Sequence, residues 1–208
     1  MDDGTWSTPE DIEAARITVK SAIFQSLDLI EVNTEVHYAK IPRSIREIEN
    51  LLKVKGVPHV VQIVGRTSDG KVVLERFGQN LKQWITDKIT ARQWNFSEEE
   101  KIQWILDIAQ GLASLHERGI IHKDLTMNNI LFEKNRAIIC DLKSGDSSID
   151  IRPPEFVQKI QLEFNEKMDV YGFGVVLWSI ENRNNARPHR ILQPSGIFEG
   201  GDEEVSCC

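Results

Sequence analysis

Three residues with oxygen-bearing side chains occur in one short stretch of the sequence. Asp124 and Asn129 lie in a polar loop between short apolar runs, and Asp141 follows the run at residues 138–140, seventeen positions after Asp124. Short strands that end at these positions could bring two carboxylates and one amide to the same place. Hard oxygen groups of this kind suit Mg²⁺ that is bound together with the phosphates of a substrate. The stretch therefore indicates chemistry on a phosphate group.

The elements that must position these residues change from strands to helices along the chain. Strand patterns dominate the first part, with one short helix among them, while residues 17–33 fit either state. Further on, Ser97 and Glu100 form a predicted capping box that starts a long helix, and Gly119 ends it. The predicted strands are 35–41, 60–64 and 72–77, the short helix is 44–55, and a turn at 68–70 joins the last two strands.

The segment Met168–Trp178 is a second predicted helix with apolar residues on every side, so we expect it to be buried all round. After Glu181 the sequence becomes polar, and residues 191–208 are predicted to form an acidic tail. Few apolar residues remain to cover the helix, and a large open apolar patch is unusual on a soluble monomer. We therefore expect the isolated chain to be marginally stable and to self-associate or to need a protein partner on this face.

Composition and charge argue against several classes of protein. The formal net charge of −7 argues against nucleic-acid binding, which needs a basic surface. No apolar run reaches membrane-spanning length, and the acidic start at residues 2–3 is unlike a signal peptide. Three cysteines form no disulfide framework, so the expected compartment is the cytoplasm, with the nucleus as the alternative. The pair Cys207-Cys208 is similar to prenylation sites, but the acidic residues before it argue against lipidation.

The joint pattern of His122, Asp124, Asn129 and Asp141 resembles two motifs of protein kinases. The first is the catalytic loop H-R-D-L-x-x-x-N, and the second is D-F-G, whose aspartate corresponds to Asp141. The resemblance implies an α+β, bilobal kinase fold with a small strand-rich N-lobe and a helical C-lobe that lacks its last helices. It divides the chain into an extension at 1–34, a kinase-like domain at 35–190 (N-lobe to about 77, C-lobe from about 81) and the tail at 191–208.

The predicted strand at 35–41 carries Lys40, which resembles the lysine of the kinase motif V-A-I-K. The helix that follows is similar to the C helix of the family, and this similarity implies that Glu47 pairs with Lys40. Glu49 is the alternative partner, because the segment between Lys40 and Glu47 is shorter than the family usually has.

Residues 74–77 resemble the hinge between the two lobes of a kinase. The resemblance implies that backbone groups of Glu75 and Phe77 meet the edge of the adenine, while Leu74 controls access to the space behind it. Asp169 matches the buried acid at the start of the central helix of the family, where it would brace the catalytic loop.

The resemblance implies an ATP- and Mg²⁺-dependent kinase that transfers the γ-phosphate to a hydroxyl of a protein substrate, with serine/threonine specificity favoured. Asp124 would orient the acceptor hydroxyl and accept its proton. Asn129 and Asp141 would hold Mg²⁺, and Lys40 would contact the α- and β-phosphates. His122 is expected to be a packed structural residue.

The sequence departs from the kinase pattern at several positions. No G-x-G-x-x-G precedes Lys40, so the backbone that should cover the phosphates lacks the residue type that approaches them most closely. Asp141 is followed by Leu142-Lys143 rather than Phe-Gly. Lys123 and Thr126 replace an arginine and a lysine that are usual in this loop, and lysine lacks the bidentate fork of arginine.

Three functional classes therefore stay open. The combination of Lys40, Asp124, Asn129 and Asp141 favours an active protein kinase. The missing glycine loop and the missing C-terminal helices favour a pseudokinase that binds or scaffolds other proteins. A related small-molecule phosphotransferase is the third class, because loops of the H-x-D-L-x-x-x-N kind also occur in that wider group.

Overall fold

A computed structural model describes residues 18–142, 153 and 163–182 of the chain. The predicted tail, the Cys207-Cys208 pair and most of the segment that follows Asp141 lie outside these residues. The elements in chain order are α1 (Ala22–Gln25), β1 (His37–Lys40), α2 (Ile45–Lys53), β2 (Ile63–Arg66), β3 (Val72–Glu75), α3 (Leu81–Thr90), α4 (Glu98–Glu117), a 3₁₀ turn (Met127–Asn129), β4 (Ile130–Glu133), β5 (Arg136–Ile139) and α5 (Glu166–Asn182).

The N-terminal lobe is built on a three-stranded antiparallel sheet in the order β1-β3-β2. In the register between β1 and β3, Tyr38 lies opposite Leu74. α2 begins at Ser44, whose hydroxyl accepts a hydrogen bond from the amide of Glu47 and so satisfies one of the donors left open at a helix start. Strands in one lobe and helices in the other give the α+β, bilobal architecture expected from the sequence.

Several elements predicted from the sequence are confirmed with slightly shorter bounds. The short helix and the first and third strands are present, and the turn at residues 68–70 joins β2 to β3. The capping box is present too, since the Ser97 hydroxyl accepts from the Glu100 amide and the Glu100 carboxylate accepts from the Ser97 amide. The domain boundaries predicted at residues 34/35 and 190/191 stay predictions.

The strand predicted at residues 60–64 is placed wrongly. β2 begins only at Ile63, whereas Val60 and Val61 run beside β5, with the Val61 amide donating to the carbonyl of Ile139 at 2.8 Å. The first half of this apolar run therefore ties the N-lobe to the β4-β5 hairpin of the C-lobe. Periodicity does not separate the two halves, because both are equally apolar.

The chain before β1 passes along the far side of the sheet. The amide of Ile30 donates to the carbonyl of Arg66, and the amide of Arg66 donates to the carbonyl of Asp28, both at 2.8 Å. This segment thus extends along β2, and within the described residues no strand pairs with the outer edge of β1. The part of residues 17–33 that is described contains both a short helix and an extended segment.

The C-terminal lobe places α3, α4 and α5 around the β4-β5 hairpin. α4 and α5 run antiparallel, because Lys101 near the start of α4 lies 3.3 Å from Glu181 near the end of α5. At their other ends, His116 Nε2 lies 2.9 Å from Asp169 Oδ2. No helix within the described ranges has both the length and the apolar character to cross a membrane.

The prediction that α5 is buried all round is wrong. Met168, Gly172, Val176 and Ile180 are buried, whereas Val170 is 57% exposed. These four residues recur every four positions, and Asp169 and Ser179 are buried beside them, so α5 turns one stripe toward α4 and the core and leaves another side open. Whether this side mediates self-association stays a prediction.

An aromatic cluster fills the C-lobe between α3, α4 and β4. The ring of Trp84 lies 5.1 Å from that of Trp104 and 4.1 Å from that of Phe132, measured between centroids. Trp104 is fully buried, and its indole N–H donates to the Asn135 side chain at 2.9 Å. Large rings in edge and tilted contacts anchor α3 and α4 to the hairpin that carries Asn129 and Asp141.

A buried carboxylate joins α4 to β5. The side chain of Asp107 is inaccessible to solvent and accepts two hydrogen bonds from Arg136, at 2.7 and 2.8 Å, and one from Gln103 at 2.8 Å. The backbone amide of Ala137 also donates to it at 3.1 Å. Burial alone would raise the pKa of Asp107, but these hydrogen bonds outweigh burial and hold the pKa below its ordinary value.

We expect Asp107→Asn to lower the free energy of unfolding at neutral pH by about 2 kcal/mol, because an amide group would face the Arg136 donors. Removing one member of a fully buried pair typically costs roughly 3–5 kcal/mol, but half-exposed Arg136 stays partly solvated. Because the folded pKa is lowered, the stabilisation is complete above the unfolded pKa of about 4 and is lost as the pH falls through the folded pKa. Denaturant titrations should therefore show that the variant and the wild type converge at acidic pH.

Asp87→Asn is the matched control, because Asp87 also accepts a hydrogen bond from a glutamine but does so on the exposed face of α3. A difference between Asp107→Asn and wild type that does not shrink in acid would contradict the role given to the ionised carboxylate.

Candidate active site

An ion pair between the sheet and the helix beside it forms the first part of the site. Lys40 at the end of β1 lies 2.6 Å from the carboxylate of Glu47 in the first turn of α2, and Glu47 is only 1% exposed. The structure thus forms the pair expected with Glu47, rather than one with Glu49. Burial alone would lower the pKa of Lys40, but the carboxylates of Glu47 and Asp141 outweigh burial and raise the pKa, so the ammonium group stays charged.

Asp141 approaches the same ammonium group from the other lobe. Its Oδ1 lies 3.5 Å from Lys40 Nζ, and its backbone has a φ of 62°, in the left-handed region. The next residue, Leu142, is buried, and its carbonyl accepts a hydrogen bond from the Asn50 side chain of α2 at 3.0 Å. Leu142 thus fills an apolar slot while Asn50 fixes the backbone behind Asp141.

The loop that precedes β4 carries Asp124 and Asn129. The amide nitrogen of Asn129 donates to the backbone carbonyl of Asp124 at 2.7 Å and to its carboxylate at 3.0 Å. The amide of Cys140 donates to the carbonyl of Asn129 at 2.9 Å, so Asn129 and Asp141 lie at the same end of the β4-β5 hairpin. The hairpin register therefore brings together residues that are twelve positions apart in the sequence.

Asp169, near the start of α5, holds the backbone of this loop, as expected. Its carboxylate accepts hydrogen bonds from the backbone amides of His122 and Lys123, both at 2.7 Å, in addition to its contact with His116. His122 is buried, and its Nε2 lies 2.9 Å from the carbonyl oxygen of Cys140. His122 is therefore a packed structural residue, and the loop is held by the Asp169 carboxylate and the His122 ring, each of which bonds to backbone groups.

The ammonium group of Lys123 lies beside an aromatic ring. Its ammonium group lies 5.1 Å from the centre of the Phe164 ring, within the range of a cation–π contact. Its φ of 70° is one that residues other than glycine seldom adopt, and the two hydrogen bonds to Asp169 hold the loop in this conformation.

The donor set at the end of the hairpin fits Mg²⁺. Asp141 offers a carboxylate, and the amide nitrogen of Asn129 is engaged by Asp124, which makes the amide oxygen the atom that can serve a cation. Oxygen-only ligands from carboxylate and amide groups are those that Mg²⁺ prefers when substrate phosphates complete its coordination.

The expected hinge connects the two lobes. Leu74 is buried at the end of β3, Glu75 is exposed and Phe77 is partly buried. The amide of Arg76 donates to the carbonyl of Val36 at 2.8 Å, which ties the connection to the start of β1. The assignment of these residues to adenine binding stays a prediction.

Sequence reasoning missed one residue of this region. Asn50 reads as one more polar position of an amphipathic helix, and nothing local indicates its bond to Leu142, 92 positions away.

Comparison with known proteins supports the same assignment. The family described as protein tyrosine and serine/threonine kinase matches residues 28–198. The mitogen-activated protein kinase kinase kinase dlk-1 of Caenorhabditis elegans is 39% identical over 118 residues, which are 50% of this chain and 12% of the relative. A serine/threonine/tyrosine-protein kinase of Arabidopsis thaliana is 27% identical over 168 residues, 73% of this chain and 42% of the relative.

The chain spans less than half the length of each of these relatives. The family match nevertheless covers most of the chain and includes both lobes and the hinge between them. The chain belongs to the protein tyrosine and serine/threonine kinase family.

Proposed function

We propose that the chain is an ATP- and Mg²⁺-dependent protein kinase that transfers the γ-phosphate of ATP to a protein hydroxyl, more specifically that of serine or threonine. The observation that carries the proposal is the convergence of Lys40, Glu47 and Asp141, contributed by a strand, a helix and the opposite lobe. This arrangement places one ammonium group at the junction of the two lobes, where it can meet the phosphates of a bound nucleotide.

Lys40 is the phosphate-binding group of this proposal. Its ammonium group stays charged because two carboxylates flank it, and a fixed positive charge neutralises phosphate oxygens in a partly dry cleft. Glu47 acts through Lys40 as a positioning residue, since it holds the ammonium group from the side of α2.

Asp124 is the proposed catalytic base. The amide group of Asn129 holds both its backbone and its carboxylate, so the orientation of Asp124 is fixed before a substrate binds. A carboxylate held in this way can orient an acceptor hydroxyl and take its proton as the phosphoryl group is transferred.

Asp141 and Asn129 are the proposed holders of Mg²⁺ at the end of the hairpin. The bound cation would neutralise charge on the phosphates. Asp141 then has two tasks: it supports the ammonium group of Lys40 and contributes a carboxylate oxygen to the cation. Glu75 and Phe77 would receive the adenine at the hinge, with Leu74 behind it.

The proposed substrate is a protein with an exposed serine or threonine, and the proposed compartment is the cytoplasm. The serine/threonine assignment draws support from two relatives of Acanthamoeba polyphaga mimivirus whose names give serine/threonine-protein kinase alone, whereas others are named for both serine/threonine and tyrosine.

A pseudokinase that binds proteins without phosphoryl transfer is the second candidate. One specific observation favours it: within the described residues no strand covers the outer edge of β1, and the chain before β1 follows β2 instead. Nucleotide phosphates would then meet no strand of the described residues above them, and Lys40 would carry more of their charge.

We expect Asp141→Asn to reduce the affinity for ATP strongly in the presence of Mg²⁺ and weakly in its absence, because the carboxylate serves the cation. Isothermal titration calorimetry with and without Mg²⁺ measures both values. Asp69→Asn, at the exposed turn between β2 and β3, is the matched control and should bind as the wild type does. Equal Mg²⁺ dependence in the Asp141 variant and the wild type would contradict this site.

We expect Asp124→Asn to reduce turnover by about 10²–10⁴-fold while the affinity for ATP stays nearly unchanged, since the carboxylate acts on the acceptor hydroxyl. Phosphate transfer to a general protein substrate and nucleotide titration of the same preparation separate the two effects. Parallel losses of turnover and binding would instead indicate that Asp124 supports the fold of the loop. Binding of ATP by a wild type without turnover would favour the pseudokinase.

A further inference from the structure

Three exposed apolar side chains of the C-lobe belong to the helix pair α4 and α5. Ile102 and Leu106 on α4 are 52% and 47% exposed, and Val170 on α5 is 57% exposed. They are three of the four large apolar side chains that the described C-lobe exposes, and the fourth is Ile89 on α3. We call these three residues, together with Gly174 of α5, the α4-α5 face.

Antiparallel packing turns these residues to the same side of the pair. The contacts at Lys101 and at Asp169 mark the line along which the two helices meet. Ile102 follows Lys101, Val170 follows Asp169, and one residue is a rotation of about 100° around a helix axis. In two antiparallel helices that face each other, the same rotation leads to the same side. Ile102 and Val170 therefore border one surface.

The middle of this surface is open. Gly174 lies four residues after Val170 and is exposed, and a Cβ atom added to it would meet no described atom within 4 Å. Glycine in a helix interior costs roughly 1 kcal/mol relative to alanine, and no contact among the described residues requires its small size here. The exposed apolar side chains thus surround a place that another helix can approach closely.

The α4-α5 face has the size that a specific interface needs. From the contact at Lys101 to that at His116 the helices run side by side for roughly 22 Å, and together they are roughly 20 Å wide. Each partner of a specific dimer contributes about 800 Å² of accessible surface, and a projected surface of roughly 20 by 20 Å, made uneven by side chains, is of that order.

The two ends of the face differ in charge. Acidic side chains crowd the end where α4 begins: Glu98, Glu99, Glu100 and Glu181. Lys101 lies between two of them, 2.5 Å from Glu98 and 3.3 Å from Glu181, so this end keeps a net negative charge. The opposite end is balanced: Glu117, Arg118, Glu166 and Lys167. Two copies that met acidic end to acidic end would repel each other, whereas a two-fold arrangement brings the acidic end of one copy beside Lys167 of the other.

We propose that a second copy of this chain covers the α4-α5 face and forms an isologous dimer with its two-fold axis near Gly174. Val170 of one copy then meets Trp178 of the second copy, because each is four residues from the axis. Trp178 is half-buried, and an aromatic ring that is partly covered is a common anchor of interfaces. The inference goes beyond the proposed kinase activity, and it confines the self-association expected from the sequence to one face.

Sedimentation velocity over a concentration series tests the dimer in the full chain. The wild type should show a reversible monomer–dimer equilibrium that does not proceed beyond the dimer, since a two-fold interface closes on itself. Val170→Glu should raise the dissociation constant of the dimer at least about 100-fold, because a carboxylate would be buried without a partner. Gly174→Leu should weaken the dimer too but melt no lower than the wild type, since leucine favours a helix and has room within the monomer.

Ile89→Glu is the matched control, because Ile89 is also a large exposed apolar residue of the C-lobe but lies outside the face. Its dimer should be as tight as that of the wild type, and the melting curves of both glutamate variants should superimpose on the wild-type curve. A wild type that stays monomeric at its highest soluble concentration overturns the proposal, whether residues 183–208 cover the face or nothing does. Dimers of Val170→Glu and Gly174→Leu that are as tight as the wild type, equal weakening by Ile89→Glu, or a mass that rises beyond the dimer would also overturn it. The kinase proposal is unaffected by each of these results.

Discussion

Glu47 is a fully buried carboxylate, and a buried charge must be paired or it destabilises the fold. Lys40 is its partner, so the strand β1 and the helix α2 have to lie where a 2.6 Å contact can form. The same ammonium group reaches Asp141 in the other lobe, and Asn50 of α2 holds the carbonyl of the next residue. Lys40 of β1 and Asn50 of α2 therefore both join the N-lobe to the segment at Asp141, beside the link that Val61 makes to Ile139.

Buried carboxylates of the C-lobe are likewise paired with hydrogen-bond donors. Asp107 joins α4 to β5 through Arg136, and Asp169 joins α5 to the loop before Asp124 through backbone amides. Each carboxylate is nearly inaccessible to solvent and each accepts at least three hydrogen bonds. Hydrogen bonds to charged groups in a dry interior are strong and geometrically demanding, so these acids fix loops that apolar packing alone would leave loose.

The outer edge of β1 is where the described part of this chain differs from the kinase pattern. The segment before β1 extends along β2, which leaves the outer edge of β1 uncovered within the described residues. Lys40, with Glu47 and Asp141 beside it, is the charged group at the cleft end of this strand. A site built this way would depend on side chains and a cation where a glycine loop would use backbone amides.

The sequence by itself determined the order of strands and helices, the capping box at Ser97 and the motif that contains Asp124, Asn129 and Asp141. These features depend on neighbours a few positions apart, where periodicity and residue type carry the information. The pairing of Lys40 with Glu47 was also predicted, because the resemblance to kinase motifs indicates a partner that the residues around Lys40 do not.

Only the tertiary structure decided the rest. It divided the apolar run at residues 60–64 between two sheets, gave α5 an exposed side at Val170 and connected Asn50 to Leu142. Each of these outcomes depends on which distant surface lies opposite a residue, and a linear pattern of apolar and polar residues does not encode that surface. The edge of β1 that no described strand covers is the strongest case, since residues 28–30 pair with Arg66 on the other side of the sheet.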